Sequence, residues 1–123
     1  ADIEATDKAL SGMALIETER GEIGSAFSHF AQALDHNPAN MIALYSIIRL
    51  GHSMGLLEDV VPYLEAYLAI DPLKHEIRYS LAGCLAAAGR DGEARAHLDR
   101  ILEHDPANTP AVELKEHLEA RAA

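Results

Sequence analysis

Apolar residues recur at helical spacing along almost the whole chain. Leu10, Met13 and Ala14 have the three- and four-residue spacing of one helix face, and the same spacing returns in later segments. The pattern predicts seven amphipathic helices, at about residues 3–20, 23–36, 41–54, 57–70, 75–88, 91–104 and 109–121. Few glycines (8) and prolines (5) argue against an all-β chain, so the predicted fold class is all-α.

The helices are organised in a repeat of 34 residues. Each repeat contains a proline that follows Asn or Asp, at Pro38, Pro72 and Pro106. Each repeat also contains a glycine at an equivalent position, at Gly21, Gly55 and Gly89. Each unit is predicted to hold two helices, with the glycine ending the first. The proline starts the connection to the next unit, because proline cannot continue a helix. Asn40, Asp91 and Asn108 are predicted N-caps.

Equivalent positions of the three units carry matching apolar residues. Two such columns are Ala26, Val60 and Ala94, and Phe30, Leu64 and Leu98. The unit, with its helix–turn–helix pattern and closing proline, resembles the tetratricopeptide repeat (TPR) family. The resemblance covers three repeats, at 7–40, 41–74 and 75–108, and a capping helix at 109–121, and it implies a single domain over residues 1–123.

Two features depart from the family pattern. In the second repeat Ile48, Val60 and Tyr67 stand where smaller residues are usual. The column that holds a bulky aromatic residue early in the family's repeat contains Leu10, Leu44 and Arg78 here.

The resemblance implies a right-handed TPR superhelix, an α-solenoid of about seven antiparallel helices, in which the first helix of each repeat lines a concave groove. In this family the groove usually binds a peptide or helix of another protein. The residues that the resemblance places there are Lys8, Ser11, Leu15, Ile42, Tyr45, Ser46, Arg49, His52, Glu76, Tyr79, Ser80 and Gly83. Tyr45 and Tyr79 offer large contact areas with polar tips, although they could instead fill space between neighbouring repeats.

The expected partner is an apolar or helical segment that carries some basic residues. The family's best-known binding mode clamps a C-terminal carboxylate with Lys, Asn and Arg side chains. The matching columns here hold Ser11, Leu15, Ser46, Glu76 and Ser80, which cannot supply the positive charge, so that mode is rejected.

The charge balance narrows the partner classes. Twenty acidic and ten basic residues give a net charge of −10, which disfavours nucleic acid and anionic membrane surfaces. The same charge favours encounter with a basic protein, unless it serves solubility alone. No stretch is apolar enough for insertion into a membrane.

No motif for catalysis, metal or cofactor binding is present. The seven histidines include no pair at i, i+4 on one helix. Cys84, the one cysteine, lies in an apolar helical run and is predicted to be a small core residue. The sequence therefore predicts a non-enzymatic chain without cofactor or metal.

A structural or self-assembly role is the alternative to partner binding. The chain starts at Ala1 rather than Met, which favours a piece of a longer repeat array or the regulatory arm of a larger protein, such as a transferase. Homo-oligomerisation is open. Cytoplasm and periplasm are both compatible with the sequence, and short loops with Ala-rich helices suggest a bacterial source.

Overall fold

The computed structural model describes residues 6–122, which form seven α-helices. Their bounds are α1 Asp7–Glu19, α2 Ile23–His36, α3 Met41–Met54, α4 Leu57–Ile70, α5 His75–Ala87, α6 Asp91–His104 and α7 Thr109–Ala122. The predicted all-α class is confirmed, and the bounds of α2 to α7 agree with the predicted ones to within one residue. The predicted start of the first helix, at residues 3–5, lies outside the described residues.

The chain divides into two compact units, with the boundary in sequence between Leu56 and Leu57. In the first unit, α2 packs against both α1 and α3. In the second, α5 packs against α4 and α6, and α7 packs mainly against α6. Each unit thus buries apolar faces between helices that are neighbours in sequence, which is typical of helical repeats. The grouping of three repeats into one domain stays a prediction.

A glycine with the same backbone conformation follows each of the helices α1, α3 and α5. Gly21, Gly55 and Gly89 have φ values of 78°, 71° and 78°, in the left-handed region that favours glycine. The next residue's N–H then donates to a carbonyl five positions back, from Glu22 to Glu17, Leu56 to Gly51 and Arg90 to Leu85. This closure satisfies carbonyls that the helix end leaves without partners. The predicted role of the glycine column is confirmed.

A second turn follows α2, α4 and α6. The N–H of Asn40, Lys74 and Asn108 donates to the carbonyl three residues earlier, at 3.1, 3.3 and 3.1 Å. Pro38, Pro72 and Pro106 lie inside these turns, where no N–H is required of them. Pro62 differs because it lies inside α4 beyond the first turn, where it removes one helical hydrogen bond.

The predicted N-caps are right at two positions and wrong at one. Asn40 and Asn108 accept from the N–H of Ala43 and Ala111 at 2.9 and 3.1 Å. Asp91 is the first residue of α6 rather than its cap, and Arg90 takes the cap position without a side-chain capping hydrogen bond. The Asp91 carboxylate instead accepts two hydrogen bonds from the Arg121 guanidinium of α7. A charged partner outweighs the local backbone donor there.

Cys84 is buried in α5, as predicted, with 3% of its surface exposed. Burial raises the pKa of its thiol to about 11, because the thiolate would be poorly solvated. The side chain thus serves as a small apolar residue of the second unit's core.

Arg78 occupies the early aromatic column of the third predicted repeat and is buried. Its Nη2 donates to the Pro72 carbonyl at 2.9 Å, and its Nη1 lies 2.9 Å from Nδ1 of His97 on α6. Since guanidinium only donates, Nδ1 must accept, which requires a neutral imidazole. Burial, and secondly the Arg78 charge, hold the pKa of His97 below its ordinary value. Glu65 and Glu93 oppose this shift more weakly.

We predict that protonation of His97 destabilises the second unit. Because the pKa of His97 is lower in the folded than in the unfolded chain, the folded state binds fewer protons. The free energy of unfolding should therefore fall as pH drops from 6.5 through the folded pKa. Urea titrations above and below pH 6.5 measure this loss. His97→Gln, which keeps an acceptor and cannot titrate, should show a shallower pH dependence, and equal slopes would contradict the prediction.

We predict opposite effects of alanine at two glycines of the first unit. Gly21→Ala should lower the free energy of unfolding by about 1–2 kcal/mol, the cost of a left-handed backbone. Gly12→Ala, inside α1, should raise it by about 0.5–1 kcal/mol through helix propensity. A Cβ at either position meets nothing within 4 Å, so the difference isolates the backbone. Urea denaturation followed by circular dichroism measures both values, and effects of the same sign would refute the assignment.

Candidate functional site

Helix α3 presents a line of large side chains to solvent. Ile42 and Tyr45 are 58% and 44% exposed, and Arg49 and His52 follow on the same face at helical spacing. The rest of α3 is largely buried. Ile42 and Tyr45 together offer exposed apolar area on one face of α3, which makes this face a candidate contact surface.

A cavity of about 530 Å³ lies beside this line, within the first unit. It is formed by α1, the turn after α2 and the start of α3, and we name it the α1–α3 cavity. Its lining residues are Asp7, Lys8, Ser11, Gly12, Leu15, Asn37, Ala39, Asn40, Met41 and Ile42. The volume falls in the range of pockets that take a small ligand or an anchoring side chain.

A hydrogen-bond network holds the polar end of the α1–α3 cavity. The Asn40 amide donates to Asp7 Oδ2 at 2.9 Å and to Ser11 Oγ at 3.0 Å, while its own oxygen caps α3. The Asn37 amide donates to Asp7 Oδ2 at 3.2 Å. The bond from Asn37 is the main reason that the pKa of Asp7 lies below its ordinary value, and the bond from Asn40 adds to it. The network therefore fixes a carboxylate at the cavity's edge.

Leu15 and Ile42 give the α1–α3 cavity its apolar part. Leu15 is 41% exposed on α1, and Ile42 is 58% exposed at the start of α3. Gly12, one turn before Leu15, adds no side chain, and a Cβ there would meet nothing within 4 Å. The site thus combines apolar contact with a fixed carboxylate, which suits recognition of an amphipathic group.

Four of the predicted groove residues line this cavity, namely Lys8, Ser11, Leu15 and Ile42. Tyr45, Arg49 and His52 lie on the exposed face of α3 outside the lining. Ser46 is buried, with 4% of its surface exposed, so little of it is open to a partner.

The remaining predicted residues lie on α5 in the second unit. Glu76 and Tyr79 are exposed, Tyr79 at 37%, and Ser80 and Gly83 are half-buried. Glu76 pairs with Lys74 at 3.3 Å, and the Ser80 hydroxyl donates to the Glu76 carbonyl at 3.1 Å. Helical spacing places Glu76, Tyr79 and Gly83 on one face of α5.

Sequence reasoning did not predict the roles of Asp7 and Asn37, and it predicted only the capping role of Asn40. Asn40 was recognisable as a cap, but its bonds to α1 join residues 29 and 33 positions apart. Asn37 carried one usable signal, its place before Pro38 in a turn that brings its amide toward α1. No local pattern marks Asp7.

Two other kinds of feature are absent from residues 6–122. No three His, Cys, Asp or Glu side chains in that range come together as a set of metal ligands. None of its helices has the length and apolar composition that a bilayer span requires.

Comparison of the sequence with protein-family models gives a match. The model described as "Tetratricopeptide repeat" matches residues 52–118, which is more than half of the chain. Among curated proteins, no sequence matches the chain with significance.

Several solved structures share the fold. The first TPR of Spaghetti (RPAP3), bound to the HSP90 peptide SRMEEVD, is 15% identical with a TM-score of 0.72, covering 95% of this chain and 94% of its own. MamA from Desulfovibrio magneticus is 17% identical with a TM-score of 0.73, covering 94% and 66%. YrrB, a TPR protein with an unusual peptide-binding site, is 21% identical with a TM-score of 0.75, covering 94% and 60%. At these identities the likeness establishes the fold alone.

We predict that Asn40 stabilises the first unit through both the cap and the tie to α1. Asn40→Ala should lower the free energy of unfolding by about 1–2 kcal/mol, through loss of the cap and of the donated bonds. Asn40→Asp keeps the cap but sets a second carboxylate against Asp7, so its deficit should shrink as salt screens the repulsion. Urea denaturation at low and high salt measures both variants. An Asp variant as stable as the wild type at low salt would show that the tie contributes nothing.

Proposed function

Because the chain belongs to the tetratricopeptide repeat family, whose fold is a protein–protein interaction module, we propose that it binds a peptide or helical segment of a partner protein. The observation that carries this proposal is the α1–α3 cavity, where exposed Leu15 and Ile42 stand beside a fixed carboxylate. The predicted groove residues Lys8 and Ser11 lie at the same place.

The proposed ligand places an apolar side chain in the α1–α3 cavity. Leu15 and Ile42 are too exposed to contribute fully to folding, and a partner that covers them recovers hydrophobic free energy. Tyr45, Arg49 and His52 extend this contact along α3, with the aromatic ring as a further anchor. In the second unit, the exposed face of α5 with Glu76, Tyr79, Ser80 and Gly83 is proposed to contact partner protein as well.

A basic residue next to the apolar anchor is the expected second feature of the ligand. Asp7 presents a carboxylate that its two asparagine neighbours keep ionised. The net charge of −10 raises the rate of encounter with a basic segment. Lys8, on the same lining, accommodates an occasional acidic group or a backbone carbonyl.

We further propose that the ligand is not held by a carboxylate clamp. Spaghetti's TPR domain is bound to the acidic HSP90 peptide SRMEEVD. In this chain Ser11, Leu15 and Ser46 stand in the clamp columns of the first two predicted repeats, and none of them is cationic. Glu76 in the third repeat would repel a carboxylate.

Assembly is the alternative function, and a specific observation favours it. Met13 and Ile16 form a second exposed apolar patch on α1, outside the α1–α3 cavity.

TPR modules are generally not enzymes, and we propose no catalytic role for the residues of this chain.

We predict that Ile42→Asp weakens peptide binding at least about tenfold, because an apolar contact worth more than about 1.4 kcal/mol is lost. The probe is a peptide selected from a random displayed library against the wild-type chain, with fluorescence anisotropy giving its Kd. Ile70→Asp is the matched control, since Ile70 is 57% exposed and lies on α4 in the other unit.

Selected peptides should be enriched in apolar residues with Lys or Arg nearby, and SRMEEVD should not compete with them. Equal loss of affinity in Ile42→Asp and Ile70→Asp would remove the α1–α3 cavity from the proposal. Competition by SRMEEVD that depends on its free C-terminus would reinstate a carboxylate-binding mode.

A further inference from the structure

Three positions that share one helix face recur at equivalent places on α3, α5 and α7. On α3 this face contains Ala43, Ile47 and Leu50, which are 0–4% exposed, and α3 packs on α2. On α5 the equivalent residues are Ile77, Leu81 and Cys84, which are 0–3% exposed, and α5 packs on both α4 and α6. The same three positions are thus buried in both units.

Helix α7 repeats the arrangement and shows directly which neighbour this face meets. Its equivalent residues are Ala111, Lys115 and Leu118, of which the first and last are fully buried. Lys115 Nζ lies 2.8 Å from Asp99 of α6, the preceding helix. The column therefore faces backward along the chain in α7.

The adjacent column on the same helices faces forward. Glu17 of α1 pairs with His29 of α2 at 2.6 Å, and Arg78 of α5 contacts His97 of α6 at 2.9 Å. The backward and forward faces are thus separate, and each needs its own covering helix.

Helix α1 carries an apolar backward face that nothing in residues 6–122 covers. Its residues are Ala9, Met13 and Ile16, all exposed, with Met13 and Ile16 at 46% and 51%. Their equivalents are all buried on α3 and α5, and on α7 two of the three, Ala111 and Leu118, are buried. Their side chains are apolar, as on α3 and α5, although in α1 they meet water.

The last described helix differs from α1. Helix α7 has no following helix within the described residues, and its forward column contains Val112, which is half-buried, and Glu116 and Glu119, which are exposed and polar. A terminal helix with such a face is solvated and needs no cover. The contrast indicates that the apolar backward face of α1 is not a solvated end.

We propose that Ala9, Met13 and Ile16 form a docking face for an amphipathic helix, which lies on α1 as α2 lies on α3. The occupant is the second helix of a further repeat, which presents a ridge of large and small apolar residues. Helix α2 carries such residues in Phe27, Ala31 and Leu34, which lie at helical spacing and are half-buried or buried. This interface continues the one that the chain already forms between α2 and α3.

The test inserts a second copy of residues 7–40 between Thr6 and Asp7. The turn at Asn37–Asn40 leads directly into a first helix, so the added α2 should reach the backward face of the original α1 in register. The added copy carries Met13→Leu, which leaves one Met13 to follow. Its rate of oxidation by hydrogen peroxide is measured by mass spectrometry, with Met54, 37% exposed, as the internal reference.

Oxidation of the original Met13 should be several-fold slower in the tandem chain than in the parent, with Met54 unchanged. Ile16→Glu in the original copy should restore the parent rate, since a carboxylate would be buried beneath the added helix. The same rate of Met13 oxidation in tandem and parent chains would overturn the proposal.

A second arm does not depend on folding of the tandem chain. A synthetic peptide spanning residues 23–36, added in trans, should slow Met13 oxidation in the parent chain and leave the Ile16→Glu variant unaffected. Sedimentation of the parent chain over a range of concentrations tests the rival occupant. Dimerisation accompanied by Met13 protection would assign the face to a second copy and overturn the proposal.

Discussion

Every element of this molecule depends on neighbours, because its helices are too short to be stable alone. Helices of 13 or 14 residues are marginal in water even with favourable sequences. Each must bury an apolar face against the helix before or after it, and the turns must hold it at the right height and rotation. The left-handed glycines and the proline-containing turns do this at the same place in every repeat. Stability is therefore shared between adjacent helices.

The fold was predictable because the information that specifies it is local and repeated. A glycine that adopts positive φ and a proline that needs no donor act on their own segments, and the 34-residue period presents each signal three times. What local reasoning could not supply are partners distant in sequence. Asp91 was predicted to cap α6, but its carboxylate instead binds Arg121, which lies 30 residues later. Arg78 departs from the family pattern in sequence, and its buried guanidinium is accommodated because His97 and the Pro72 carbonyl accept its hydrogen bonds.

The candidate site likewise has features that the sequence could predict and features that it could not. The family resemblance implied that Ile42, Tyr45, Arg49 and His52 share one accessible face of α3, and all four are exposed. It could not foresee that Ser46 is buried or that Asn37 and Asn40 converge on Asp7, because those outcomes depend on how close α1 and α3 approach. Binding surfaces of repeat proteins combine both kinds of information, and their specificity resides largely in the second.

The rate at which the buried Cys84 thiol reacts depends on local opening of the second unit. With its pKa raised to about 11 and 3% of its surface exposed, the side chain is both sterically protected and almost entirely uncharged at neutral pH. An alkylating reagent can react only when α5 separates from its neighbours, so the labelling rate follows the population of locally opened molecules. With one cysteine in the chain, that rate reads the opening of a single helix without any engineered probe.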